Sequence, residues 1–205
     1  MAYEIELIRK EQLEVVKWSG GTTTQLAIFP KDAVYSERNF KWRLSSAKVE
    51  VGESLFTSLP NTNRIIMIIE GELILEHEGH HKSNLKPFDQ DHFHGSWKTK
   101  SFGKVTDFNL MMSEDCEGKL EVIHLEKEQS KNIAHVNNQQ FLENVQAIYC
   151  VNGQVKIEIS TGDIIVLCKG DIILIRSKDD ICDLNLKICN EEESKVDLIR
   201  ACICC

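Results

Sequence analysis

Along most of this chain the apolar residues return at every second position or gather in short unbroken runs, as in WRLSSAKVEV, RIIMIIEGELILEH, KVTDFNLMM, EVIHLE, VQAIYCV, QVKIEIS, DIIVLC and DIILIR. A period of two places alternate side chains on opposite faces of a strand, and short runs bounded by turns suit strands buried on both faces. Gly-containing breaks such as EGE, HEGHH, NGQ, STGD and CKGD separate these segments. That rhythm predicts an all-β sandwich or barrel rather than strands alternating with helices.

An internal echo organises the pattern. Ile69–His77, IEGELILEH, is matched by Val151–Ile159, VNGQVKIEI, with Gly71 corresponding to Gly153. Each copy continues through a second turn into another strand, LKPFDQDHFHG in the first half and LCKGDIILIRS in the second. Two β units in tandem are expected, residues 1–122 and 123–205, with the polar, aperiodic segment Glu126–Gln140 as the natural joint.

Composition narrows the classes of partner. The chain has 205 residues, 42% of them hydrophobic, enough for a core that folds unaided. Its 32 acidic and 24 basic residues leave a net charge of -8, which disfavours nucleic acid and anionic membrane as partners. No apolar stretch approaches the roughly 20 residues needed to cross a bilayer, and MAYEIELIRKEQ has no cationic start followed by an apolar run, so a cytoplasmic location is expected. The eight cysteines are irregularly spaced and are read as reduced thiols, with Cys150, Cys168, Cys182 and Cys189 in apolar runs as small core residues. The terminal ACICC is read as a dispensable, oxidation-prone tail.

Three clusters carry polar groups that a plain β scaffold does not require. In Trp18-Ser19-Gly20-Gly21-Thr22-Thr23-Thr24-Gln25 two glycines allow close backbone approach beside uncharged hydrogen-bonding groups, which fits either a ligand-binding loop or a turn entering the strand Leu26–Phe29. In Phe40–Ala47, alternation puts Phe40, Trp42 and Leu44 on one face and Arg43, Ser45 and Ala47 on the other, leaving room beside a guanidinium suited to carboxylate. In Asp107-Phe108-Asn109, Asp107 and Asn109 share a face amid apolar neighbours and need partners or a ligand. A direct Arg43–Asp107 pair across strands is the structural alternative. Histidines 77, 80, 81, 92 and 94 also crowd together. A metal site from His92 and His94 on one strand face competes with the reading of a solvated turn and rim.

The order W-S-G-G-x-T-x-Q (Trp18–Gln25), I-F-P (Ile28–Pro30), F-x-W-R-x-S-x-A (Phe40–Ala47), Arg64 before Glu70-Gly71, L-x-P-F (Leu85–Phe88), F-x-G (Phe93–Gly95) and D-F-N-x-M (Asp107–Met111) resembles the HutD/Ves family. The resemblance implies a two-unit cupin of the RmlC-like jelly-roll type, with few short helices. Relative to metal-binding cupins the ligands are missing: Arg64 stands at the Glu position and Thr57–Pro60 at the H-x-H positions, while the second half has Gln146 and Gln140–Glu143 there. No metal and no cofactor are therefore expected. The glycine loop is shorter than the W-x-N-G-x-G-x-T-x-E form of many relatives, with Gln25 in place of Glu.

The resemblance implies a context of histidine utilisation and a ligand of the formylglutamate kind. The leading expectation is a non-catalytic binder or sensor of a small acidic metabolite. Arg43 and Arg64 grip a carboxylate, Ser45 lies beside Arg43, Asn109 and Thr23 bond an amide or formyl group, Trp18 and Trp42 wall the pocket, and Asp107 orients an arginine. The alternatives are a metal-independent isomerase, epimerase or hydrolase with Asp107 or a histidine as base, and a protein-association scaffold. No catalytic residue is assigned, and a homodimer is compatible with the sequence.

Overall fold

A computed structural model describes residues 3–134, 138, 140–141, 143–177 and 184–205, so Cys182 and parts of the expected joint lie outside the described residues. Strands are numbered along the chain. The chain divides into two compact units, Leu13–Glu117 and a second made of Met1–Gln12 with Gly118–Cys205. This differs from the expected division at residue 122, because the N-terminal strand belongs with the C-terminal half. Among the described residues no helix is long and apolar enough to cross a membrane.

The Leu13–Glu117 unit carries all the motif residues. Its larger sheet has the order β2 (Glu14–Trp18), β3 (Gly21–Phe29), β4 (Trp42–Val49), β11 (Thr106–Ser113), β6 (Thr62–Glu70) and β9 (Gln90–His94). Its smaller sheet has the order β5 (Glu53–Leu55), β10 (Thr99–Phe102), β7 (Leu73–His77) and β8 (Lys82–Leu85). Strands β4, β6 and β11 occupy the middle of the larger sheet and are buried on both faces, which explains the near-continuous apolar run RIIMII. On one face Ile66, Ile68, Phe93 and Val105 pack with Leu73, Leu75 and Leu85 from the smaller sheet and its turns, and this is the core of a two-sheet sandwich.

The second unit repeats the arrangement. One sheet has the order β1 (Tyr3–Ile8), β17 (Ile172–Ser177), β14 (Asn144–Cys150), β19 (Val196–Cys204) and β12 (Glu117–Leu125), and the other β13 (Ser130–Ala134), β18 (Asn185–Cys189), β15 (Gln154–Ile159) and β16 (Ile164–Cys168). The echo is visible in the hairpins: Gly71 joins β6 to β7 at φ 88°, and Gly153 joins β14 to β15 at φ 64°. Both angles are in the left-handed region that favours glycine. Strand β1 pairs with β17 from Tyr3↔Ser177 to Ile8↔Ile172, and Arg176 Nη1 donates to Glu6 Oε2 at 2.7 Å.

Two cysteine expectations need correction. Cys116 and Cys205 are each disulfide-bonded, while Cys150, Cys168, Cys189, Cys202 and Cys204 are in no disulfide. The terminal residues are no loose tail, since Cys202, Ile203 and Cys204 lie in β19 opposite Gln146, Val145 and Asn144 of β14. The alternation Ile-Arg-Ala-Cys-Ile places them in a central strand, where Ala201, Cys202 and Ile203 are buried.

Candidate functional site

Register across the larger sheet of the motif unit gathers the polar residues into adjacent rows. Met111 stands opposite Arg43 on one side and Arg64 on the other, and Arg64 stands opposite Phe93. The next row runs from Ser45 through Asn109 and Ile66 to Asp91, and the next from Thr23 through Ala47 and Asp107 to Ile68. Residues directly opposite in an antiparallel sheet share a face, so Arg43, Ser45, Arg64, Asp107 and Asn109 all project toward the sandwich interior with Ile66 and Ile68.

Both guanidiniums are only 5% exposed. Arg43 donates from Nε to Gln25 Oε1 at 2.9 Å and from Nη1 to Ser45 Oγ at 3.1 Å, and its Cζ lies 4.2 Å from the Tyr35 ring centroid. Arg64 donates from Nη2 to Asn109 Oδ1 at 3.2 Å, lies 4.7 Å from the Phe56 ring and 5.0 Å from Phe93, and has no partner for its Nε. Among the described residues neither arginine has a carboxylate within ion-pairing distance. The direct Arg43–Asp107 pair does not form. Asp107 Oδ1 instead accepts Asn109 Nδ2–H at 2.6 Å and the Ala47 amide at 3.2 Å.

This wiring runs from the Asp107 carboxylate through the neutral Asn109 amide to the Arg64 guanidinium. Because the Asn109 amide donates to the carboxylate, its carbonyl oxygen turns to the guanidinium, and Asn109 acts as a relay rather than as a group left open for a ligand. Burial pushes the Asp107 carboxyl up to about 6, opposed by the Ala47 and Asn109 hydrogen bonds and the Arg64 charge. Burial also pushes Arg64 down to about 10, and Arg43 is lowered for the same reason. An anion between the guanidiniums would offset that desolvation.

Trp42 is fully buried on the opposite face from Arg43, stacked on Phe29 at 5.9 Å with its Nε1–H unpartnered, so it cannot wall the pocket. The reason is the alternation of β4. Trp18 ends the edge strand β2, is 39% exposed and folds over Gly20, where any Cβ would strike its ring at 2.0 Å. The glycine-threonine segment is a hairpin and strand rather than a loop: Trp18 pairs with Gly21, and Thr23 lies within β3 opposite Ala47. His92 is exposed on β9, and His94 Nε2 lies 3.2 Å from Glu114 Oε1, so these two histidines do not converge on one point. Sequence reasoning missed Tyr35, Phe56 and Phe93 as the rings over the arginines. Tyr35 sits in a short 3-10 turn without periodicity, whereas Phe93, opposite Arg64 in the pairing, was readable from its place in the F-x-G motif.

The second unit holds a similar contact with its partners exchanged. Gln146 stands seven residues before Gly153 as Arg64 does before Gly71, and Gln146 Oε1 accepts Arg200 Nη2–H at 2.7 Å. The cation now comes from β19, and its Nη1 also reaches Glu121 at 3.1 Å.

A comparison with curated proteins finds no match. Among solved structures, a conserved protein of unknown function from Pseudomonas aeruginosa PAO1 superposes with a TM-score of 0.77 at 19% identity, over 98% of this chain and 100% of that one. HutD from Pseudomonas fluorescens SBW25, in a structure described as a formate condition, gives 0.66 at 20% identity over 97% and 98%. The oxalate decarboxylase of Lactobacillus farciminis, in a formate complex, gives 0.67 at 8% identity over 96% and 85%. These likenesses establish the cupin-type jelly-roll fold. The HutD family profile matches residues 10–194, and the chain belongs to the HutD family.

Proposed function

We propose that the protein is a non-catalytic binder or sensor of a small acidic metabolite, held by Arg43 and Arg64 inside the motif unit. The observation that carries this reading is the pair of buried arginines with no carboxylate partner among the described residues, Arg64 with an unsatisfied Nε. An uncompensated buried charge is costly, and a ligand carboxylate offsets that cost with charge-assisted hydrogen bonds. Ser45 and Gln25 set the fork of Arg43, while Asp107 acts on Arg64 through Asn109. A dicarboxylate or N-acylated acidic amino acid such as N-formylglutamate fits two cations flanked by neutral polar groups, and it agrees with a place in histidine utilisation. The formate named for the Pseudomonas fluorescens relative's structure is a small carboxylate of the same chemical kind.

A metal-independent enzyme is the second reading, favoured by one observation. A carboxyl pushed up to about 6 suits a general base near neutral pH, and Asp107 has that property. Among the described residues, cysteines without a disulfide, such as Cys150 and Cys202, agree with a cytoplasmic location, whereas the disulfide-bonded Cys116 and Cys205 weigh against it.

Thermal denaturation with a panel of acidic metabolites tests the binding reading. A ligand at 100 times its Kd adds about 2.7 kcal/mol to native stability, which raises Tm by a few degrees in a chain of this size. Arg43→Ala and Arg64→Ala should each abolish the shift while the protein stays folded. A shift that survives loss of both arginines, or no shift across the panel, refutes it.

A further inference from the structure

The hairpin of β7 and β8 carries a second polar cluster that the arginine pocket does not use. His77 ends β7 directly opposite Thr99 of β10, the chain turns through Glu78, Gly79 and His80, and the His77 amide donates to the His81 carbonyl at 2.9 Å. Gly79 takes φ 78° in that turn. Asp91 approaches from β9 of the other sheet. Both imidazoles converge on its carboxylate: His77 Nε2 lies 3.1 Å from Oδ2, and His81 Nε2 lies 3.0 Å from Oδ1 and 3.1 Å from Oδ2. One ligand atom from each of the three residues lies within 4.8 Å of the others.

Thr99 Oγ1 lies 2.8 Å from His77 Nδ1 and 3.3 Å from the Trp97 carbonyl, and the tautomer of His77 sets which ring nitrogen carries the proton. With the proton on Nδ1, Nε2 presents its lone pair beside the Asp91 carboxylate, an arrangement that a bound cation completes. The His77 side chain has no exposed surface and packs against Phe93 at 4.6 Å and Trp97 at 5.6 Å, where an imidazolium is costly.

We propose that His77 Nε2, His81 Nε2 and an Asp91 carboxylate oxygen form a site for a divalent transition-metal ion of the zinc class, with a fourth position for water or an exogenous ligand. Tetrahedral zinc with bonds of about 2.0–2.1 Å spaces its ligands roughly 3.3 Å apart, and the observed nitrogen-to-oxygen separations need only a few tenths of an ångström of opening. The supporting contacts have the character of a metal site's outer shell. Thr99 Oγ1 lies 2.8 Å from His77 Nδ1, the ring nitrogen left for an outer hydrogen bond when Nε2 holds a metal, and the His92 amide donates to Asp91 Oδ1 at 2.8 Å. His77, His80 and His81 also border an open cleft of about 520 Å³, whose lining includes Lys82, Lys98 and Lys100, while His81 itself is exposed. His80 itself is stacked on Trp97 at 3.7 Å. The expectation of no metal came from the cupin ligand positions at Thr57–Pro60 and Arg64; this triad draws two of its three ligands from a different hairpin.

The test uses the full-length chain with its free thiols alkylated, stripped with EDTA and titrated with Zn²⁺ by calorimetry and with Co²⁺ by visible absorption. One equivalent per chain is expected, with the absorption of tetrahedral Co²⁺. His81→Ala and Asp91→Asn should lose measurable binding, Thr99→Val should weaken it about 10–100-fold, and His94→Ala should leave it unchanged. His81 is exposed, so its truncation removes no core packing and keeps the test decisive if Asp91→Asn disturbs the fold. Absence of stoichiometric binding in the parent chain, or binding that survives His81→Ala, overturns the proposal.

Discussion

Arg64 Nη2 donates to the side-chain carbonyl of Asn109 at 3.2 Å, and through that amide a buried cation is coupled to a carboxylate it does not touch. Removing the amide strands both charges. Asn109→Ala should therefore destabilise the protein by about 1–3 kcal/mol in urea denaturation and shrink the metabolite-induced rise in Tm. A fully stable variant would show that water replaces the amide and that the interior is wetter than its burial implies.

Asp107 gives the motif unit a pH dependence with a defined sign. Its folded-state pKa is pushed up to about 6 from an ordinary value of 3.8, so the native state holds the proton more tightly than the unfolded chain. The resulting stabilisation is complete below pH 3.8 and is lost as pH rises to about 6, a change on the order of 3 kcal/mol. Asp107→Asn should lack this component in denaturation curves collected from pH 4 to 7. Anion affinity should strengthen as pH falls through about 6 in the parent and not in the variant, because protonation removes a negative charge beside the ligand.

Deleting residues 202–205 should abolish cooperative unfolding rather than leave Tm unchanged. The deletion removes three paired positions from a central strand and leaves Gln146, Val145 and Asn144 of β14 without their neighbours on that side. The milder Ile203→Ala should cost about 2–5 kcal/mol, read by denaturant midpoint.

Trp42→Ala should cost about 3–5 kcal/mol through the cavity it opens, with no effect on the metabolite-induced shift once the reduced baseline is taken into account. Trp42→Phe should cost less, since it also removes an Nε1–H that has no partner. A selective loss of ligand response in either variant would place Trp42 in the pocket against the strand alternation.

The strands and their pairing into two units were legible because a period of two and glycine-bounded turns are local signals; Gly71 and Gly153 marked equivalent hairpins before any contact was known. Arg43, Arg64, Asp107 and Asn109 were legible as a group for the same reason, since register carries alternate residues of β4, β6 and β11 onto one face. The wiring among them was not. Whether Asp107 meets Arg43 directly or Arg64 through Asn109 depends on side-chain reach across two strand pairs, which no local pattern encodes. His77 and His81 were visible only as part of a crowd, because Asp91 reaches them from the opposite sheet. The ACICC segment misled because it reads as a polar-free end, and only the pairing with β14 shows it to be core.

The pairing of β1 with β17 has a consequence for how the chain is made. Glu6 and Arg176 are joined by a contact spanning 170 positions, so β1 is made long before the strand with which it pairs. Residues 13–117 can complete their own two sheets meanwhile, and the entropy of closing that long loop is met only once β17 has been made. Until then β1 is an unpaired strand of alternating apolar residues, and the glutamates at positions 4 and 6 are the charges within it that oppose aggregation.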